Sequence, residues 1–266
     1  MAACTCGSRL RPLGSRGFTL IELIVVLVVL AILATTSVAF VVRVVDSYRS
    51  TQERALLVNT ARSALERMTR QLRGALPYSV RIINDGACLQ FMPIAGGGNY
   101  ILPVPDQANG APVLAAIGVS SHAIEFGSAS FVSIGALSPV ELYGANAGSR
   151  TGFGAGSSTT QLQLVPAKQW LRNSIRKRFY LLSNPQAFCL VGDELRFYEG
   201  LDVNDNVINV DQAHGLMARG VSSGGVPFEL KTGTENRNTG VVISLIFSRR
   251  GESLSFIQEA MIRNVP

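Results

Sequence analysis

Histidine is almost missing from this chain. Only His122 and His214 occur in 266 residues, far apart and without acidic or cysteine neighbours at ligand spacing. A zinc centre needs clustered ligands and a histidine-based triad needs a base beside its nucleophile, so neither has support and no cofactor is expected. Charge is sparse too, at 16% of residues, with a net +6. Arg9, Arg11 and Arg16 precede the first apolar run, and no acid occurs among residues 1–17. Setting these three aside leaves 21 basic residues against 18 acidic ones, a balance that disfavours nucleic acid as a partner. Glycine and proline are absent from residues 18–73, so nothing there interrupts a helix. Cysteine is scarce and divided. Cys4 and Cys6 precede the apolar run, whereas Cys88 and Cys189 lie deep in the body. In an oxidising compartment the second pair is a candidate disulfide closing a loop of about 100 residues, worth roughly 4 to 5 kcal/mol; the alternative is two buried thiols.

What is present is a long apolar run. Residues 18–42 (FTLIELIVVLVVLAILATTSVAFVV) are long enough to span a hydrocarbon layer of about 30 Å, and Glu22 is their only ionisable residue. The arginines before the run, against Arg43 balanced by Asp46 after it, place the N-terminus in the cytoplasm and the body outside. A plain uncleaved anchor leaves Glu22 unexplained, because a carboxylate in a membrane helix costs a few kcal/mol. A secretory signal cleaved near Ser37-Val38-Ala39 wastes Glu22 as well, and its apolar core is overlong.

The stretch Arg16-Gly17-Phe18-Thr19-Leu20-Ile21-Glu22 resembles the type IV prepilin signal. That resemblance implies cleavage by a prepilin peptidase between Gly17 and Phe18, with loss of leader residues 1–17 and N-methylation of Phe18. It also implies that Glu22 pairs with the terminal amine of a neighbouring subunit in a helical bundle. Pairing of that kind offsets the burial of a carboxylate.

After residue 42 the pattern turns amphipathic, with Leu57, Ala61, Leu65, Met68 and Leu72 at helical spacing. One helix is predicted over residues 18–76, a membrane part to 42 and an amphipathic part over 43–76, stopped by Gly74 and Pro77. Two helices joined near residues 43–48 are the alternative. From residue 77 to 266 the periodicity shifts toward two, predicting a β-rich globular body. Strands are expected at 161–165, 178–183, 194–198 and 241–248, followed by a turn at 249–252 and a partner strand at 254–262. Residues 144–160 (GANAGSRTGFGAGSSTT) read as a mobile surface loop. Gly152-x-Gly154-x-Gly156 lacks the following Lys-Ser or Lys-Thr of a phosphate loop. The expected class is α+β: a type IV pilin-like fold, its long N-terminal helix packed on a mainly antiparallel sheet.

Asp202, Asn204, Asp205, Asn206 and Asp211 form an oxygen-rich cluster. Asp202, Asn204 and Asn206 are weak calcium candidates, because Val207 and Ala213 break the EF-hand pattern, and a polar turn is the simpler reading. Lys168, Arg172, Arg176, Lys177 and Arg178 make the densest basic run, with Trp170, Phe179 and Tyr180 interleaved. Nucleic acid, an acidic partner subunit and a plain solvated face are the three readings of it.

The body is similar to minor pilin-like biogenesis proteins of the mannose-sensitive haemagglutinin (MSHA) pilus. The carriers are residues 72–77 (LRGALP), 87–93 (ACLQFMP), 178–183 (RFYLLS), 188–200 (FCLVGDELRFYEG) and 263–266 (RNVP). Residues 99–118 and 144–160 depart from the likeness. It implies a non-enzymatic minor pilin in the bacterial inner membrane, its body periplasmic. The partners implied are other minor and major pilins, the prepilin peptidase, the assembly platform and inner-membrane lipid. A type II secretion pseudopilin of the J class and a tip-displayed adhesin or DNA-binding minor pilin are the alternatives.

Overall fold

The computed structural model describes residues 17–120, 129–231 and 238–262. The leader residues before Gly17, His122 and the terminal 263–266 lie outside the described residues. A single helix, α1 (Leu20–Arg73), runs without interruption through residues 43–48, so the two-helix alternative does not hold. The chain divides into two compact units, residues 1–52 and 53–266.

In the first unit the large apolar side chains from Leu20 to Val45 are exposed. The helix handles its few hydroxyls internally. Thr35 Oγ1 donates to the Ile32 carbonyl at 2.9 Å, and Thr36 Oγ1 reaches the carbonyls of Ile32 and Leu33 at 3.0 Å. Such back-bonding leaves little unsatisfied polarity on a surface that is otherwise apolar.

The second unit begins in the amphipathic part of α1, which buries Leu57, Ala61, Ala64, Leu65, Met68, Thr69 and Leu72. The helix ends at Arg73 rather than the predicted 76. Ala75 bridges to Pro93 and the Leu76 N–H donates to the Met92 carbonyl at 3.0 Å, so sheet-like pairing takes over from the helical ladder. The sequence then lays down β1 (Arg81–Ile83), β2 (Cys88–Phe91), β3 (Ile94–Asn99), β4 (Leu114–Gly118), β5 (Phe131–Ser133), β6 (Arg150–Phe153), β7 (Gln161–Lys168) and β8 (Arg178–Leu182). β9 (Gln186–Val191), β10 (Glu194–Tyr198), β11 (Gly215–Arg219), β12 (Val221–Ser222), β13 (Phe228–Lys231), β14 (Thr239–Arg249) and β15 (Glu252–Ile262) follow.

Among the described residues these strands pair antiparallel throughout. A five-stranded sheet has the order β1-β2-β9-β10-β11 and a six-stranded sheet the order β3-β8-β5-β6-β7-β4. In the third sheet β14 pairs with β12 and β13 and carries β15. The architecture is α+β, an apolar N-terminal helix with antiparallel sheets, consistent with a pilin-like fold. The helix core joins Met68 and Leu72 to Phe91, Phe188 and Phe197 of the five-stranded sheet, and to Val241, Ile243 and Leu245 of β14. The six-stranded sheet keeps its own core around Trp170, Phe179 and Leu181. A smaller cluster holding Leu76, Met92, Tyr143 and Leu182 lies beside them.

Residues 144–160 are only in part the surface loop expected from their composition: positions 155–160 lie in an irregular, mostly exposed stretch, whereas Arg150–Phe153 form a strand. β6 sits inside the six-stranded sheet with Ser149 and Thr151 buried. Its glycines serve close approach: a Cβ on Gly152 would lie 2.3 Å from the Val165 carbonyl oxygen of the neighbouring strand.

Candidate functional site

Gly17, Phe18 and Thr19 are exposed and carry no regular structure, and the helix starts at Leu20. The Gly17–Phe18 bond is thus presented in an irregular segment ahead of the helix, and nothing lies within 4 Å of a Cβ placed on Gly17. Phe18 is 77% exposed. A protease that cuts here reaches an uncovered backbone and leaves the whole apolar helix attached to the product.

Glu22 lies in the first turn of α1, where the unpaired N–H groups and the helix dipole favour a negative charge. Its backbone N–H donates to Thr19 Oγ1 at 3.3 Å, half of a capping box. Thr19 is a residue that the sequence reading passed over. The Thr-x-x-Glu spacing ahead of an apolar run was the available signal. The local capping is thus the work of the Thr19 hydroxyl on the Glu22 backbone, while the Glu22 carboxylate is exposed and makes no ion pair among the described residues.

The remaining candidates belong to the second unit. Cys88 and Cys189 are opposed residues of β2 and β9 and are joined as a disulfide, their Cα atoms 4.1 Å apart and both side chains fully buried. Of the calcium candidates, Asp202 Oδ1 accepts from the backbone and side chain of Asn204 at 2.8 and 2.9 Å. Asn206 Oδ1 accepts from Arg81, whose guanidinium also donates to the Asp205 carbonyl at 2.6 Å and to Gln90 Oε1 at 2.6 Å. Arg81 stacks over the Tyr143 ring at 3.7 Å, and burial draws its pKa down. The oxygen-rich loop is thus held by the protein's own cation. Among the described residues no group of three His, Cys, Asp or Glu is placed to hold a metal ion.

The basic run is spent largely on internal contacts. Lys168 Nζ donates to the Ala147 carbonyl, Lys177 Nζ to the Ile101 carbonyl, and Arg172 forms a forked pair with Glu141 at 2.6 and 3.1 Å. Burial would raise the Glu141 carboxyl, but the hydrogen bonds from Arg172, Leu137 and Ser149 outweigh it and hold the pKa low. Trp170 and Phe179 are fully buried, so they supply no exposed stacking platform for bases. His214 is exposed, with Nδ1 2.9 Å from the Gln212 carbonyl oxygen.

Residues 13–38 match the prokaryotic N-terminal methylation motif, which supports a type IV pilin-like protein. A motif of this kind implies processing by prepilin peptidase and assembly with other pilins. Together with an N-terminal helix long and apolar enough to cross a membrane, it supports anchoring of a C-terminal soluble domain. No curated protein and no solved structure matches the chain.

Proposed function

We propose that this chain is a minor pilin of the MshO type, which enters a priming or tip complex and helps start or regulate assembly of an MSHA-like pilus fibre. The observation that carries the reading is the junction itself: Gly17, Phe18 and Glu22 fall at the start of the apolar helix, within the matched motif. In this reading residues 1–17 are a cytoplasmic leader, 18–42 anchor the protein and enter the filament core, and 77–266 form a periplasmic body. The role is structural and not enzymatic. The disulfide between two buried strands suits an oxidising compartment. The MshO-type assignment is supported by the residue blocks around β2, β8, β9 and β10, of which β2 and β9 carry the Cys88–Cys189 pair.

Glu22 supplies the assembly contact, a carboxylate at the head of an apolar helix that meets the methylated amine of a neighbour. Helix packing supplies the rest of the binding. Mass spectrometry of the protein from peptidase-competent cells should show an N-methylated Phe18 start. An intact leader in those cells would sink the reading. Glu22→Ala should leave cleavage in place while filaments fail, and normal filaments would show the ion pair to be dispensable. Lost protein secretion with intact pili in a deletion strain would point instead to a type II secretion pseudopilin.

A further inference from the structure

β15 is the edge of its sheet. It pairs with β14 from Thr239↔Ile262 to Arg249↔Glu252 without a register shift, and no other strand joins it among the described residues. The hairpin closes through Arg250 at φ 46° and Gly251 at φ 85°, the pattern of a two-residue type I′ turn. In such a hairpin Arg249 and Glu252 form a hydrogen-bonded pair, so the even-numbered residues of β15 turn their backbone groups toward β14. The N–H and C=O groups of Ser253, Ser255, Ile257, Glu259 and Met261 therefore line the outer edge. The Glu259 carbonyl accepts from Gln258 Nε2 at 3.2 Å, consistent with that orientation. Long edges are ordinarily blunted by proline, lysine or a bulge, and β15 has none of these. Its outer face exposes Ile257 and Met261.

Beside this edge, on the helix side, runs a groove of about 840 Å³ between β15 and α1. Arg62, Arg70 and Arg73 line it with Leu65 and Phe256, and Glu66 is its one acid. None of the three arginines forms an ion pair among the described residues. They are distributed over about 16 Å of helix, the reach of roughly five residues of extended chain. Ion pairs hold helix and edge together: Glu53 meets Arg249 at 2.9 Å and Arg250 at 2.8 Å, and Arg54 meets Glu252 at 2.8 Å.

We propose that the open edge and the groove form one docking site for an extended, carboxylate-rich segment of a partner protein, which adds to β15 as a further strand. Alternate side chains of the incoming strand enter the groove, where their carboxylates meet Arg62, Arg70 and Arg73 and their methylenes lie over Leu65 and Phe256. The opposite set packs on Ile257 and Met261. The excess of positive charge selects an acidic strand over a basic one, and the row of edge amides and carbonyls fixes its backbone. This site is argued from the second unit alone and stands whether or not the leader is processed.

The test uses the full chain in detergent micelles and a fluorescein-labelled peptide of alternating Glu and Val, with a Lys and Val peptide as its counterpart, read by anisotropy. The acidic peptide should bind at least about tenfold more tightly. Ser255→Pro removes an edge N–H and no bond of the β14 ladder, and should weaken binding about tenfold. The pair Arg70→Glu and Arg73→Glu lies on exposed surface, so it reads the groove even if the proline variant fails to fold, and it should reverse the preference. Equal binding of the two peptides, or unchanged binding in a folded Ser255→Pro variant, overturns the proposal. So does self-association that Ser255→Pro abolishes while the acidic peptide fails to bind, which would assign the edge to a second copy. The Phe18 start, checked by mass spectrometry on the same samples, separates any failure here from a failure of processing.

Discussion

Reducing the Cys88–Cys189 disulfide should cost the body a large share of its stability. The bonded residues are 101 apart in sequence, and both side chains are fully buried. Loop-closure entropy for a ring of that size corresponds to about 4.7 kcal/mol at 25 °C, released to the unfolded chain when the bond is opened. Marginal stability makes that loss large, since a domain commonly holds only about 5 to 15 kcal/mol in total. For a body of this length the melting temperature should fall by roughly 10 to 20 °C. The comparison is between oxidised protein and the same protein reduced under denaturant and returned to native conditions with its thiols blocked from reoxidation. Urea unfolding in micelles can be followed by the fluorescence of Trp170, the one tryptophan, which is fully buried in the core of the six-stranded sheet. Circular dichroism follows the strands as a whole. The urea slope should rise on reduction, because the unfolded chain expands and exposes more surface. Double replacement by alanine should cost somewhat more, since two fully buried sulfurs vanish as well. Oxidised and reduced midpoints that agree within about 1 kcal/mol would refute the reasoning.

Two further perturbations test the body. Gly220→Ala should destabilise it by at least about 2 to 3 kcal/mol, because the glycine sits at φ +68° and its Cβ would lie 2.2 Å from the Ser248 carbonyl oxygen; a urea midpoint shifted by less than about 0.5 kcal/mol would contradict this. Acid should also weaken the fold. Glu141 is held low by its contacts with Arg172, Leu137 and Ser149 despite burial, and Asp106 by hydrogen bonds from Asn109 and Asn173. The unfolded carboxyls take up protons first, near pH 4, so their stabilising share is full above that value and drains away as pH falls through the lower folded pKa values. Urea midpoints taken from pH 6 to pH 2.5 should decline below about pH 4, and Glu141→Gln should flatten that limb. An unchanged limb in the variant would assign the acid sensitivity to other groups.

Much of this fold was legible because the relevant physics is local. Residues 18–73 contain no glycine or proline, and the helix fills nearly all of that span. The apolar stripe from Leu57 to Leu72 is the face that the sheets cover. Alternation found β10 at its observed bounds and β8 and β14 within a residue or two. Failure came where a residue's purpose depends on a distant strand. Gly152 looks like a flexible residue in sequence, yet it is glycine because Val165 passes against it, and no window around residue 152 contains that information. The basic run stayed open for the same reason: which cations are spent internally depends on Glu141 and on the carbonyls of Ala147 and Ile101, all remote in sequence. At the N-terminus Gly17, Phe18 and Glu22 were legible as a spacing, whereas Thr19 was hidden in plain view as a cap. The open edge of β15 could not be read at all, because whether a strand has a neighbour on each side is a property of topology.

The separate core of the six-stranded sheet bears on how such a protein can change over generations. Substitutions without shared partners add nearly independently, so repacking around Trp170 leaves the packing of Met68 and Leu72 largely untouched. The half that holds the helix must keep its volume and register. The half beyond it can trade residues at its own pace, and new surfaces can arise there without renegotiating the anchor.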